Sequence, residues 1–250
     1  IATTGGAKRL GNTEISYDVL RSAQGMNIMI TVHHLEDSRS QRVLWLLEEL
    51  GVEYEIKLYK RDPKTMLGPD SLKRIHPLGK SPVVEDGERR IAESGAIMEY
   101  LVSQYGDGRL IPVEGSDERL AYSYWLHYAE GSLMPMMLLK LIFDRLAHPP
   151  MPLVMRPAAA LIALGVKGKF ITPRLKDQLD FIEGELAKST WFAGDEFTAA
   201  DIQMSFPLEA AVARGAIGED RPHIRKFVTR IHSRPAYKRA LKRGGPCAYG

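Results

Sequence analysis

The chain has 250 residues, 44% of them hydrophobic and 26% charged, with a formal net charge of +3. That length buries one large core or two modest ones, and the ordinary composition sets aside disordered and fibrous classes. The single cysteine, Cys247, excludes an intramolecular disulfide and a metal site built on several thiolates, and suits a reducing compartment.

No run of about 18 apolar residues occurs, so no membrane span is expected. The start of the chain lacks the apolar stretch of a signal peptide, and a cytoplasmic location is expected. The basic excess over residues 221–243 reads as a solvated helical face rather than a nucleic-acid patch. Residues 1–27, rich in Gly, Thr, Ser and Asn, read as an extension without periodic structure.

From Ile28 the pattern changes. Residues 28–35 (IMITVHHL) form an apolar run of strand length. Val43, Leu46, Leu47 and Leu50 share one helical face, and Gly51 ends that helix. In residues 53–59, Tyr54, Ile56 and Leu58 alternate with charged residues, as in a strand. The order β-α-β predicts parallel strands with a right-handed crossover. A short helix is expected over about 69–75, and Asp86-Gly87 between PVVED and RRIA predicts a hairpin. Ser94 is expected to cap a helix carrying Ile97, Met98, Leu101 and Val102, closed by Gly106.

Past a linker at residues 107–115 the pattern is helical throughout. A long helix is expected from Ser116 towards Ala147, and the prolines at 149, 150, 152 and 157 read as chain breakers. Thr172-Pro173 and Thr198 open further helices, followed by shorter basic ones. The expected layout is an α/β domain over 28–106 and an all-α domain over 116–250.

Three constellations carry chemistry. DSRSQR (37–42) lies at a strand-to-helix turn, where backbone amides favour an anion and a serine hydroxyl serves as a cap or as a donor to a thiolate. It lacks the C-x-x-C of a dithiol oxidoreductase. In HPLGKSPVVEDG (76–87), Pro82 after Ser81 suits a cis peptide presenting backbone groups to an extended ligand, or a plain edge-strand start. Lys80 there is a carboxylate partner or a surface charge. In AESGAI (92–97), Ser94 suits a carboxylate and Glu93 an ammonium group, although such a helix start is common. His33 and His34 read as packing residues of the first strand.

These segments, in this order, resemble the glutathione transferases. DSRSQRVLWLLEELGVEYE resembles the first βαβ of the serine-type, bacterial and fungal-like branches, and HPLGKSPVVEDG the loop before the family's cis-proline. AESGAIMEYL resembles the third-helix motif, and GDEFTAADI the capping box of the helical domain. The resemblance covers residues from about 29 to 241. It implies a thioredoxin-like N-terminal α/β domain followed by an all-α C-terminal domain, and a cytoplasmic homodimer active in detoxification.

The resemblance also implies roles. Ser38, with Ser40 as the alternative, stabilises the glutathione thiolate. Lys80 meets the glycyl carboxylate, Ser81 and Pro82 the cysteinyl backbone, and Glu93 and Ser94 the γ-glutamyl group. Arg42 matches an arginine more often structural than catalytic. Thr198 and Asp201 form the structural capping box. Tyr124, His127 and Tyr128, in a stripe of aromatics and methionines that otherwise reads as core, are candidates for the second-substrate pocket. Glutathione is expected as co-substrate with a small apolar electrophile, for conjugation or peroxide reduction, without metal, permanent cofactor or nucleic acid. The rival expectation is a non-catalytic binding or protein-interaction module on the same scaffold.

Overall fold

The computed structural model describes residues 29–245; the extension expected over residues 1–27 and Cys247 lie outside them. The expected β-α-β opens the fold: β1 (Ile30–Leu35), α1 (Gln41–Leu50) and β2 (Tyr54–Tyr59). Ile30 and Val32 of the apolar run are buried. α1 ends at Gly51 with φ +71°, a left-handed conformation that costs glycine least.

After a 3-10 turn (Asp70–Arg74) comes the expected hairpin, β3 (Val83–Asp86) and β4 (Arg89–Ala92). The four strands stand in the order β2-β1-β3-β4. β1 and β2 run parallel, while β3 lies antiparallel to both β1 and β4. The register sets His33 opposite Val83, so the segment preceding β3 lies beside the end of β1 and the turn into α1. α2 (Ser94–Tyr105) completes this α/β portion. One expectation is corrected here: Ser94 is the first residue of α2 rather than its cap, and Glu93 occupies the cap position with φ +70°.

Everything beyond is helical. The long helix expected after Ser116 is divided into α3 (Asp117–Tyr128), a π-helical stretch (Ala129–Leu133) and α4 (Met134–Arg145). The wider π turn shifts the helical phase without breaking the apolar period, and Pro135 sits in the first turn of α4 that follows it. Pro157 likewise opens a helix, α5 (Arg156–Val166), where a chain break is expected from the sequence. α6 (Thr172–Lys188), α7 (Ala199–Ala213), α8 (Pro222–Ser233) and α9 (Pro235–Gly244) complete the chain.

A thioredoxin-like α/β portion followed by a helical portion is the fold observed. One apolar cluster runs through both, from Val32, Trp45 and Leu101 to Trp125, Ile202, Phe227 and Tyr237. Each such aliphatic or Phe side chain contributes about 1.5–3 kcal/mol on burial, and the helical portion supports the sheet through α1 and α2. α1 is the shared wall: it packs against α2, α7 and α9.

Candidate functional site

The turn between β1 and α1 folds its hydroxyls onto one another. Ser38 is buried, 6% exposed, and its Oγ lies 2.7 Å from Ser40 Oγ. Ser40 Oγ lies in turn 2.7 Å from His34 Nδ1, and His34 Nε2 lies 3.0 Å from the Gly244 carbonyl at the end of α9. Ser40 makes no side-chain cap bond to α1, and Ser38 Oγ accepts the Ser40 N–H at 3.3 Å, which occupies one of its two lone pairs. Burial lowers the pKa of His34 below its usual value, against the opposing pull of the Gly244 carbonyl and of Asp37.

The loop before β3 joins this turn. The Ser81–Pro82 peptide is cis. Ser81 Oγ donates to the His33 carbonyl at 2.8 Å and accepts the Leu35 N–H at 3.2 Å. The same Leu35 N–H also donates to Ser40 Oγ at 3.2 Å, so one backbone amide links the two segments. The Ser81 side chain is thereby committed to β1. Lys80, beside it, is exposed.

The start of α2 is joined through Arg42 of α1. The buried Arg42 guanidinium donates to Ser94 Oγ at 3.1 Å, to Glu130 Oε1 at 2.6 Å and to the Gln203 carbonyl at 2.6 Å. Burial lowers its pKa and Glu130 opposes that shift. Ser94 accepts from Arg42, which leaves its hydroxyl hydrogen to point elsewhere. Glu93, exposed, is held at φ +70°, a left-handed backbone that costs a non-glycine residue strain. The first helical bond of α2 is Ile97 N–H to the Glu93 carbonyl, so the earlier amides of that turn have no acceptor within the helix.

The structure thus gathers three segments separated in sequence: 34–42, 80–82 and 93–94. The remaining candidates sit in the helical portion. Tyr124 and Tyr128 of α3 stack with ring centroids 5.5 Å apart and meet Phe181 of α6, while His127 is exposed. Thr198 and Asp201 close the capping box at the start of α7. Asp201 accepts the Thr198 N–H and the Phe192 N–H, both at 2.8 Å. A polar cavity lined by Ser189, Asp195, His223 and Arg230 contains none of these candidates.

Two participants escape a reading of the sequence. Glu130 bridges Arg42 and Arg39 from the π stretch, 3.1 Å from Arg39 Nε. His34 reads there as packing, whereas the structure ties it to Ser40. His33, facing the other way, meets Tyr59 and Glu85 at 2.8 and 3.1 Å. Among the described residues, no group of three or more His, Cys, Asp or Glu could hold a metal ion, and no helix is long and apolar enough to cross a membrane.

Residues 28–103 match the glutathione S-transferase N-terminal domain and residues 172–235 the corresponding C-terminal domain. The chain is 38% identical over 216 residues to glutathione S-transferase 3 of Schizosaccharomyces pombe, covering 86% of this chain and 88% of that protein. It is 37% identical over 217 residues to glutathione S-transferase 1 of Saccharomyces cerevisiae, covering 84% and 92%. Among solved structures, a glutathione S-transferase from Actinobacillus pleuropneumoniae is 30% identical and superposes with a TM-score of 0.73, over 88% of this chain and 94% of that one. The chain belongs to the glutathione S-transferase family.

Proposed function

We propose that this chain is a glutathione transferase in which Ser38 stabilises the glutathione thiolate for attack on a small apolar electrophile, by conjugation or peroxide reduction. Lys80 receives the glycyl carboxylate. The backbone around Ser81 and Pro82 receives the cysteinyl part, and Glu93 with Ser94 receives the γ-glutamyl group. Tyr124, His127 and Tyr128 border the electrophile. The reading includes a homodimer in the cytoplasm, which rests on the family resemblance, and uses no metal or permanent cofactor.

The observation that supports it most is the convergence of the three segments through two shared groups, the Leu35 amide and the Arg42 guanidinium. Magnitudes agree with the chemistry. A thiol of pKa about 8.5 must fall by roughly two units, worth about 2.7 kcal/mol, to be mostly ionised near neutrality. One hydrogen bond to a charged acceptor contributes about 1.5–3 kcal/mol. A helix N-terminus adds roughly 0.3–1 kcal/mol.

The test is calorimetric titration with glutathione, together with conjugation of a chlorodinitrobenzene-type electrophile. Saturable binding and turnover are expected. Binding without turnover on any electrophile or peroxide would favour the non-catalytic reading, and no binding would overturn the proposal.

A further inference from the structure

The hydrogen-bond chain behind Ser38 has a direction that the protein's own donors and acceptors fix. The Gly244 carbonyl can only accept, so the His34 nitrogen facing it at 3.0 Å, Nε2, carries the ring proton. In the neutral ring Nδ1 is then a bare acceptor. The Ser40 hydroxyl, 2.7 Å away, donates to it in preference to the Leu35 carbonyl at 3.3 Å. With the Ser40 proton engaged, the 2.7 Å contact between the two serines requires Ser38 to donate to Ser40. In the free protein, therefore, Ser38 Oγ offers a ligand a lone pair rather than a proton.

That polarity is wrong for binding a thiolate and right for receiving the hydrogen of a thiol. We infer that His34 is the terminal proton acceptor for glutathione activation, taking the thiol proton through Ser38 and Ser40. The inference rests on the proposed function above. The S–H bond breaks as its proton passes to Ser38; the Ser38 proton passes to Ser40, and the Ser40 proton to His34 Nδ1. The products are a thiolate and an imidazolium, with total charge unchanged. Each hydroxyl is left reversed, with Ser38 now donating to the sulfur. When the thiolate has attacked, the ring's proton returns along the same chain to the leaving anion or to water.

The surroundings of His34 suit both states. Burial keeps the ring neutral in the free protein, ready to accept. The carbonyl it faces belongs to the C-terminal end of α9, where a cation is favoured. Asp37 in the turn favours the charged ring. α1 contributes the neutral Gln41 and Leu44 around Gly244, and Arg243 of α9 is engaged instead with Glu48 at 3.2 Å and the Tyr54 carbonyl at 2.7 Å. The end of α9 packs closely on α1: a Cβ on Gly244 would come within 2.5 Å of Leu44 Cδ1 and 2.8 Å of Gln41 Oε1, so those side-chain ends would have to shift. His34 does not touch the sulfur; it is a positioning residue that acts through Ser40.

The test is nitrogen-15 NMR of the histidine-labelled full chain at neutral pH, with the His34 signals assigned by their loss in His34→Asn. Spectra are compared for the free protein, the glutathione complex and the S-methylglutathione complex, which has no thiol proton. The expected ring is neutral and Nε2-protonated in the free and S-methylglutathione forms, and an imidazolium with glutathione. A neutral His34 in a complex shown by titration to be saturated with glutathione overturns the relay and leaves the proposed function standing. An imidazolium in both complexes also overturns it, and failure of glutathione to bind removes both. In the His34→Asn variant the amide side chain accepts from Ser40 but takes no proton, so the bound thiol's pKa should rise by about one to two units. Ser40→Ala, which cuts the chain, should raise it similarly, and an unchanged pKa in a folded Ser40→Ala protein contradicts the relay.

Discussion

The helix starts of the two portions are built from the same residue types and used differently. At the start of α7, Thr198 and Asp201 satisfy one another and the local backbone: Asp201 accepts from the Thr198 N–H, the Thr198 hydroxyl and the Phe192 N–H. At the start of α3, Ser116 accepts the Arg119 N–H at 3.1 Å. The starts of α1 and α2 have no side-chain cap. Their serines bond to side chains on other elements: Ser40 to His34, and Ser94 to Arg42. A hydroxyl committed to its own helix stabilises the fold and is closed to ligands. One held from the side by another residue keeps a fixed direction: Ser94 accepts from Arg42 and keeps its hydrogen, while Ser40, bonded to His34, Ser38 and the Leu35 amide, orients its neighbour Ser38.

The contrast can be broken at either end. The largest effect is expected from Asp201→Ala, which removes the acceptor of three buried donors; unfolding should cost about 2–4 kcal/mol less by denaturant titration. Turnover per folded molecule should stay close to wild type. A collapse of turnover with unchanged stability would make the start of α7 functional rather than structural.

Glu93→Gly probes the opposite case. Glutathione affinity should fall about tenfold or more, through loss of the charged partner proposed for the γ-glutamyl group. Melting temperature should hold or rise, because glycine adopts φ +70° without strain. A drop in melting temperature with intact affinity would assign Glu93 to the fold. The smallest effect belongs to Thr198→Ala. It should lose about 0.5–2 kcal/mol of stability as an N-cap deletion, with glutathione affinity unchanged by calorimetry.

The sequence carries the α/β portion more fully than the helical one, for physical reasons. The apolar run of β1, the alternation in β2 and the Asp86-Gly87 turn are local signals, and each element lies where its signal does. The π stretch at Ala129–Leu133 keeps a near-helical spacing of apolar residues, so the division of one long helix into two leaves little trace. Pro157 has the same identity whether it breaks a helix or opens one, and only its position relative to the first turn decides.

The candidate site divides in the same way. Ser38, Ser81, Pro82, Glu93 and Ser94 stand out because each lies at a turn with its own local signature. The residues behind them do not. His34 meets its carbonyl partner 210 positions along the chain, and Arg42 meets Glu130 across 88. No local pattern encodes such pairings, and on β1 a histidine that only packs and one bonded to the neighbouring turn look alike in sequence.

If the Ser38 hydroxyl before α1 serves the bound thiol as proposed, its loss registers in the thiolate absorbance of the glutathione complex against pH, compared for wild type and Ser38→Ala. The bound thiol in wild type should ionise about two units below the free value of about 8.5, and Ser38→Ala should restore roughly one to two of those units. Glutathione affinity should fall only modestly, because in the proposed reading Lys80, Glu93 and Ser94 hold the two ends of the peptide. A folded, glutathione-saturated Ser38→Ala protein whose bound thiol keeps the wild-type pKa would contradict the account.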